Sequence, residues 1–337
     1  MPRQARIDAP GALQHVIIRG IEKKAIFKDN QDRNNFVKRL GNILLGTSTA
    51  CYAWALIPNH AHLLLRSGLV PIATVMRRLL TGYAQQFNRR HHRHGQLFQN
   101  RYKSVLCEED PYLLELVRYI HLNPLRSGFV RDLKELKFYR YAGHAVLMGS
   151  LYYEWQAKEY VLKLFGKTER QGRREYASFV TLGVNEGRRP ELVGGGLLRS
   201  VGGWSTLKIR RLQGIRIKGD ERILGSGDFV ERVLKVANED FEQRTRFKRQ
   251  GYDLEVLLER VASYYKVDEN SLRDGRKQRE AVKARSVLCY LAVRKLRMSA
   301  TEVALKLNIT PSAVSKLAMR GQSVVPITGV EEFLIKC

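Results

Sequence analysis

Two periods of apolar spacing alternate along the first part of this chain. Leu13 to Arg19 reads as a strand, and Asp32 to Leu45 carries Phe36, Leu40, Ile43 and Leu44 at helical spacing. Thr47 to Ile57 and His60 to Arg66 are apolar runs divided by Pro58-Asn59, which predicts two paired strands around a tight turn. Ile72 to Phe87 returns to the helical period, and a further strand is expected near Gln99 to Ser104. The next helix spans Asp110 to Asn123, with Asp110 suited to cap it, Pro111 to its first turn and Pro124 to its stop. Its apolar stripe is Leu113, Leu116, Val117 and Ile120, beside a polar face of Tyr112, Glu115, Tyr119 and Asn123. This order predicts an α+β domain over residues 1–150: a ferredoxin-like antiparallel sheet with helices on one face and the Tyr119 helix lying across the other.

Beyond it the pattern weakens. Tyr152 to Phe165 is expected to be helical, and the Gly-rich, basic stretch from Arg199 to Gly225 reads as part of a connector over 151–225. Residues 226–337 form an all-α region, with helices at Leu254 to Tyr265, Lys283 to Lys295, Ala300 to Leu307 and Pro311 to Met319. Ser299 and Thr310 suit caps for the last two, and Asn308-Ile309 is a short junction between them. Two helices so joined predict a helix-turn-helix, with Ser312, Ser315, Lys316 and Arg320 near the readable side of the second.

Charge narrows the range of partners. Lys plus Arg number 59 against 33 Asp plus Glu, a net charge of +26 with a pI near 10.1, which suits a polyanion. No apolar run approaches bilayer length and the N-terminus has no signal-peptide core, so neither a membrane partner nor export is expected and the cytoplasm is the expected location. Cys51, Cys107, Cys289 and Cys337 lack CxxC spacing, which fits reduced thiols rather than a disulfide framework or a zinc site.

The candidate chemistry sits on two stretches. His60 and His62 are one residue apart on a strand, so their imidazoles share a face in a way that can hold a divalent metal. Tyr119 and Asn123, four apart, can bring a phenol and a carboxamide oxygen to the same place. His91, His92 and His94 lie in a Gly-bounded basic loop with no fixed geometry and rank behind that pair as ligands. Arg101 and Lys103 alternate with Tyr102, an arrangement suited to phosphate.

Asn59-His60-Ala61-His62-Leu63-Leu64 resembles the histidine-hydrophobic-histidine motif of the HUH single-strand endonucleases. Arg118 to Gly128, reading Arg-Tyr-Ile-His-Leu-Asn-Pro-Leu-Arg-Ser-Gly, resembles the tyrosine helix of the REP-associated tyrosine transposases. His15 to Gly20, Ile26-Phe27 with Asp29, and Gln99 to Ser104 are similar to other parts of that group's catalytic domain. The resemblance implies metal ligation by His60 and His62, assisted by Asn123 where many insertion-sequence members carry Gln, and makes Tyr119 the nucleophile. It implies cleavage and rejoining of single-stranded DNA at hairpin-forming repeats through a 5'-phosphotyrosine, with Mg2+ or Mn2+, in single-subunit forms or in homodimers that exchange tyrosine helices.

Val261 to Val267, Leu272-Arg273 and Ala284 to Leu291 resemble the DNA-binding domain of the bacterial replication initiator DnaA. That resemblance implies binding of duplex DNA, with Arg273 and Lys283 or Arg285 near phosphates. Two other readings stay open at this stage: a noncatalytic DNA-binding regulator that retains the nuclease fold, and an RNA-binding protein using the sheet.

Overall fold

The computed structural model describes residues 7, 11–68, 70–187, 189–194, 220–237, 253–273, 278–296, 298 and 300–328. The chain divides into two compact units, Met1–Leu234 and Lys235–Cys337.

The first unit is built on a sheet ordered β2-β3-β1-β4-β5, with β1 Leu13–Arg19, β2 Ala50–Ile57, β3 His60–Arg66, β4 Lys103–Cys107 and β5 Ile223–Leu224. β1 lies in the middle, antiparallel to β3 and β4, and its register sets Ile17 against His62 and Arg19 against His60. β2 and β3 form the expected hairpin around Pro58-Asn59. The short β5 adds a parallel pairing, Leu106 with Ile223 and Cys107 with Leu224. The fold is α+β, and its sheet is mixed rather than purely antiparallel.

Successive residues of a strand face opposite sides, and two cores follow from this alternation. Val16, Ile18, Ala61, Leu63 and Leu65 pack against α1 (Asn30–Thr47) and α2 (Ile72–Arg90). Asp29 begins α1 by accepting from the Asp32 amide, satisfying one of the orphan donors of a helix start. On the other face Leu13, Leu64 and Val105 pack against α3 (Glu109–His121). That face is more thoroughly covered than the sequence suggests. After α4 (Asn123–Arg126) come α5 (Leu133–Phe138), α6 (Gly143–Leu147), α7 (Lys158–Lys163) and α8 (Glu169–Leu182), and Val161, Leu162, Tyr176 and Val180 join the same core. The expected helix over Tyr152 to Phe165 is cut to α7. Its first residues serve packing instead: Gln156 accepts from the Trp54 indole at 2.8 Å, and the Trp155 ring lies 5.2 Å from that of Trp54. The part of the expected connector before residue 195 is therefore integral to the first unit, and residues 195–219 lie outside the described residues.

In the second unit α9 (Leu254–Tyr265) is capped by Asp253, which accepts from the amides of Glu255 and Val256. α10 (Glu269–Arg273) and α11 (Arg279–Tyr290) follow, the latter running on into a wider turn over Leu291–Lys295. α12 (Ala300–Lys306) and α13 (Pro311–Thr328) are joined through Asn308, whose φ of 51° makes the turn. Thr310 accepts from the Ala313 amide as expected, whereas the expected cap Ser299 lies outside the described residues. Gly321 lets α13 cross α11 closely: a Cβ there would stand 2.2 Å from the Ser286 carbonyl oxygen. Cys51, Cys107 and Cys289 are buried free thiols, and Cys337 lies outside the described residues. Among the described residues no helix is long and apolar enough to cross a membrane.

Candidate active site

His60 and His62 open β3 on the face covered by α3, as the strand period requires. Their ring centroids are 5.1 Å apart, His62 buried and His60 partly so. The His60 Nδ1 lies 2.7 Å from Asn59 Oδ1. The His62 Nδ1 lies 2.9 Å from the Nε2 of His15, a third imidazole on the central strand. His15 in turn donates from Nδ1 to the Leu192 carbonyl at 2.9 Å.

Tyr119 comes from the last turn of α3, and its ring stands 5.8 Å from His62 and 6.1 Å from His15, edge-on to both. These residues belong to one chain, so a tyrosine from a second copy is not needed to complete this geometry. The expected cap of α3 is displaced: Glu108, not Asp110, takes the N-cap position, and its carboxylate accepts from the Ser226 amide and hydroxyl. α3 also stops earlier than expected. Leu122 ends it, and Asn123 starts α4, with Pro124 in its first turn. Asn123 nevertheless stays beside Tyr119, donating from Nδ2 to the Tyr119 carbonyl at 3.0 Å, so that Oδ1 is the atom it could offer to a cation.

Electrostatically the site is basic but its imidazoles are neutral. Burial, followed by the Arg19 charge, lowers His60 to about 4. Burial also takes His62 well below its ordinary value, with His15, His60 and Arg19 adding to it. His15 falls to about 4, mainly through burial and further through Lys103, against an opposing bond to Leu192. Neutral imidazole is the form that binds a metal. The chemistry of two such imidazole donors, with the Asn123 carboxamide oxygen as the third ligand expected from sequence, suits a divalent cation of the Mg2+ or Mn2+ kind.

Arg126 lies 5.6 Å over the Tyr119 ring. It donates to the Gly183 carbonyl at 3.0 Å, while its Nε and Nη1 are buried without a hydrogen-bond partner. Neither His15 nor Arg126 was singled out for the site from sequence. His15 becomes visible only once β1 is known to neighbour β3, and Arg126 once α4 is known to fold back over Tyr119.

Elsewhere, Asp29, Asp32 and His91 bring three ligand atoms within 4.8 Å of one another. Here the cation is already supplied by the protein. The Arg90 guanidinium reaches Asp32 at 2.6 Å and Asp29 at 2.6 Å, and His91 Nε2 lies 2.9 Å from Asp32. This network ties the end of α2 to the start of α1.

The basic residues expected at DNA divide into two kinds. Arg101 and Lys103 are exposed, Lys103 opening β4 and Arg101 preceding it in a bend beside a groove of about 770 Å3 that Arg77 and Phe98 also line. In the second unit Ser312, Lys316 and Arg320 are exposed at four-residue intervals along α13, with Ser315 partly buried between them. Lys283 lies over the Tyr265 ring at 5.8 Å, and Arg273 pairs with Glu255 at 2.5 Å. Arg285 departs from expectation. It is 4 % exposed and donates to the carbonyls of Leu272 and Ser271, so its guanidinium holds α10 to α11 inside the unit rather than facing DNA.

Residues 11–123 match the family described as "Transposase IS200 like", a span that includes His60, His62, Tyr119 and Asn123. The solved structure of a REP-associated tyrosine transposase bound to a REP hairpin is similar at 15% identity over 47% of this chain and 92% of that chain, with a TM-score of 0.37. No curated protein matches this chain.

Proposed function

We propose that this protein is a metal-dependent transposase that cleaves and rejoins single-stranded DNA, with Tyr119 as nucleophile. The observation that carries the reading is the approach of the Tyr119 ring to within 5.8 Å of His62 in the same chain. The match of residues 11–123 to a transposase family supports it.

His60 and His62, with the Asn123 carboxamide oxygen, are the residues that would hold Mg2+ or Mn2+. When bound, the cation supplies positive charge at the scissile phosphate. The Tyr119 oxygen attacks phosphorus, the bond from phosphorus to the 3' oxygen breaks, the phenolic proton passes to solvent and the leaving oxygen takes up a proton. The products are a 5'-phosphotyrosine and a free 3'-hydroxyl. Because the phosphodiester is exchanged for a phosphotyrosine, a 3'-hydroxyl can reverse the step on another strand end without a nucleotide cofactor. Arg126 beside the phenol offers charge to the developing and departing phenolate.

The substrate we propose is DNA with hairpin-forming repeats, as the Arg118 to Gly128 motif implies. We assign contact with its backbone to Arg101 and Lys103 and contact with duplex to Lys316 and Arg320 of α13, a reading that the exposure of all four supports. A 3'-labelled single strand carrying such a hairpin, incubated with protein and Mn2+ and then denatured, should leave label on the protein. Chelation should abolish it. Label transfer unaffected by chelation and by His60→Ala with His62→Ala would remove the metal from the mechanism.

A further inference from the structure

Beside the proposed ligands stands a further buried imidazole that the mechanism does not use. His15 lies on β1, is fully buried, and joins His62 on one side and the Leu192 carbonyl on the other. Hydrogen bonds have direction, and that direction can be followed along this chain of groups. A carbonyl only accepts, so the proton of His15 sits on Nδ1. A neutral ring with that single proton on Nδ1 meets both of its contacts, the carbonyl on one side and the imidazole on the other, and leaves no uncompensated charge at a position that is 0 % exposed. Its Nε2 is therefore a bare lone pair, and the His62 Nδ1 that meets it at 2.9 Å is the donor. One proton on Nδ1 leaves the Nε2 of His62 bare. Asn59 does the same for His60, its Oδ1 accepting from Nδ1 at 2.7 Å.

We infer that His15 is a positioning residue that fixes His62 in the Nδ1–H tautomer, so that its Nε2 is ready for a cation, and that the Leu192 carbonyl anchors this relay. Histidines that bind metals are commonly oriented by a carboxylate or carbonyl on their other nitrogen, and these partners contribute strongly to affinity. Here an imidazole takes that position and passes the demand on to a backbone carbonyl. The anchor lies in the turn Pro190–Val193, beyond the residues 11–123 matched by the transposase family. Leu192 is itself 1 % exposed in the core around α3, so the turn is held by packing as well as by this bond. The site is thus completed by chain that follows α8.

The inference rests on the reading of His60 and His62 as ligands, and two measurements separate the fates of the two claims. The first is the tautomer of His62 in the full chain, 15N-labelled at histidine and free of metal at neutral pH, read by long-range 1H–15N correlation. The expected state is Nδ1–H, and finding Nε2–H in the wild-type protein overturns the relay without recourse to any variant. The second is binding of Mn2+ alone, followed by electron paramagnetic resonance. His15→Phe, which offers no acceptor, should weaken it by about 10- to 100-fold and mix the tautomers of His62. His15→Gln, whose amide oxygen can accept from His62 and whose amide nitrogen can donate to Leu192, should restore most of both. Unchanged tautomer and unchanged affinity in a folded His15→Phe protein overturn the inference. A wild-type protein with the Nδ1–H tautomer but no Mn2+ binding sustains the relay and overturns the metal reading instead.

Discussion

Tyr119 and His62 face each other edge to plane across the gap between α3 and β3, their rings 5.8 Å apart at 83°. A late helix and an early strand of one chain are brought together because α3 packs across the β2-β3 hairpin, on the face where His60 and His62 point. If this approach is the reacting geometry, a single subunit suffices. Mixing Tyr119→Phe with His60→Ala/His62→Ala should then give no covalent adduct, since neither protein holds both halves. Recovery of activity on mixing would point to exchange of α3 between copies.

Arg126 is predicted to act on the chemical step. It stacks on Tyr119 and has two buried donor atoms without hydrogen-bond partners, so replacing it by Gln removes charge from beside the proposed nucleophile. We expect Arg126→Gln to slow strand cleavage by about 10- to 100-fold, equivalent to roughly 1.4–2.7 kcal/mol. Mn2+ affinity should be unchanged, and a loss of binding equal to the loss of rate would assign Arg126 to the ligand framework.

Acid should unfold the first unit early. His15, His60 and His144 are each lowered to about 4, chiefly by burial, and His62 and His121 are lowered as well. The unfolded chain therefore takes up protons first. Their contribution is complete above the ordinary histidine value near 6.5 and is lost as pH falls towards 4. A fully buried case such as His15 accounts for on the order of 3 kcal/mol over that window. Urea midpoints at pH 7.5, 6 and 5 should fall steeply, and a flat series would show that these imidazoles are hydrated.

Gly143 lies where helix α6 meets the buried group of His121, Tyr176 and Gln156. A Cβ there would stand 2.7 Å from His121 Nε2 and 2.8 Å from Gln156 Nε2, inside a packed core. Gly143→Ala should destabilise the protein by about 1–3 kcal/mol, seen as a lower urea midpoint. An unchanged midpoint would mean that this core yields easily.

In the second unit the residues proposed to meet duplex DNA differ from the one that holds its helices together. Lys316→Ala or Arg320→Ala should leave folding unaltered while each lowers the salt dependence of duplex affinity by about one phosphate contact. Arg285→Met, by contrast, removes donors to Ser271 and Leu272 and should lower thermal stability. A salt-slope change for Arg285→Met at unchanged stability would return that residue to the interface.

Much of this could be read from residue patterns because it was local. β1 and β3 have the bounds that alternation predicts, α9 those of its apolar period, and Pro58-Asn59 makes the turn that sets His60 and His62 on one face. What was missed depended on distant partners. The stretch from Tyr152 to Phe165 has helical spacing, yet Trp155 packs on Trp54, Gln156 accepts from its indole, and α7 begins only at Lys158. Ile223-Leu224 gives too short a run to announce a strand, and exists as one because β4 offers a free edge. Arg285 looks like any basic residue on a helix until the carbonyls of α10 close around it. His15 reads as an ordinary strand residue, since its two partners lie 47 and 177 residues away.

The most direct test is to locate the covalent bond. Protein trapped with a single-stranded hairpin substrate and Mn2+ can be digested and its peptides sequenced by mass spectrometry. The account predicts a 5'-linked nucleotide phosphate on the peptide carrying Tyr119, on the phenolic oxygen, and none in Tyr119→Phe. A nucleotide attached to any other residue, or an equal yield of adduct from Tyr119→Phe, would contradict it.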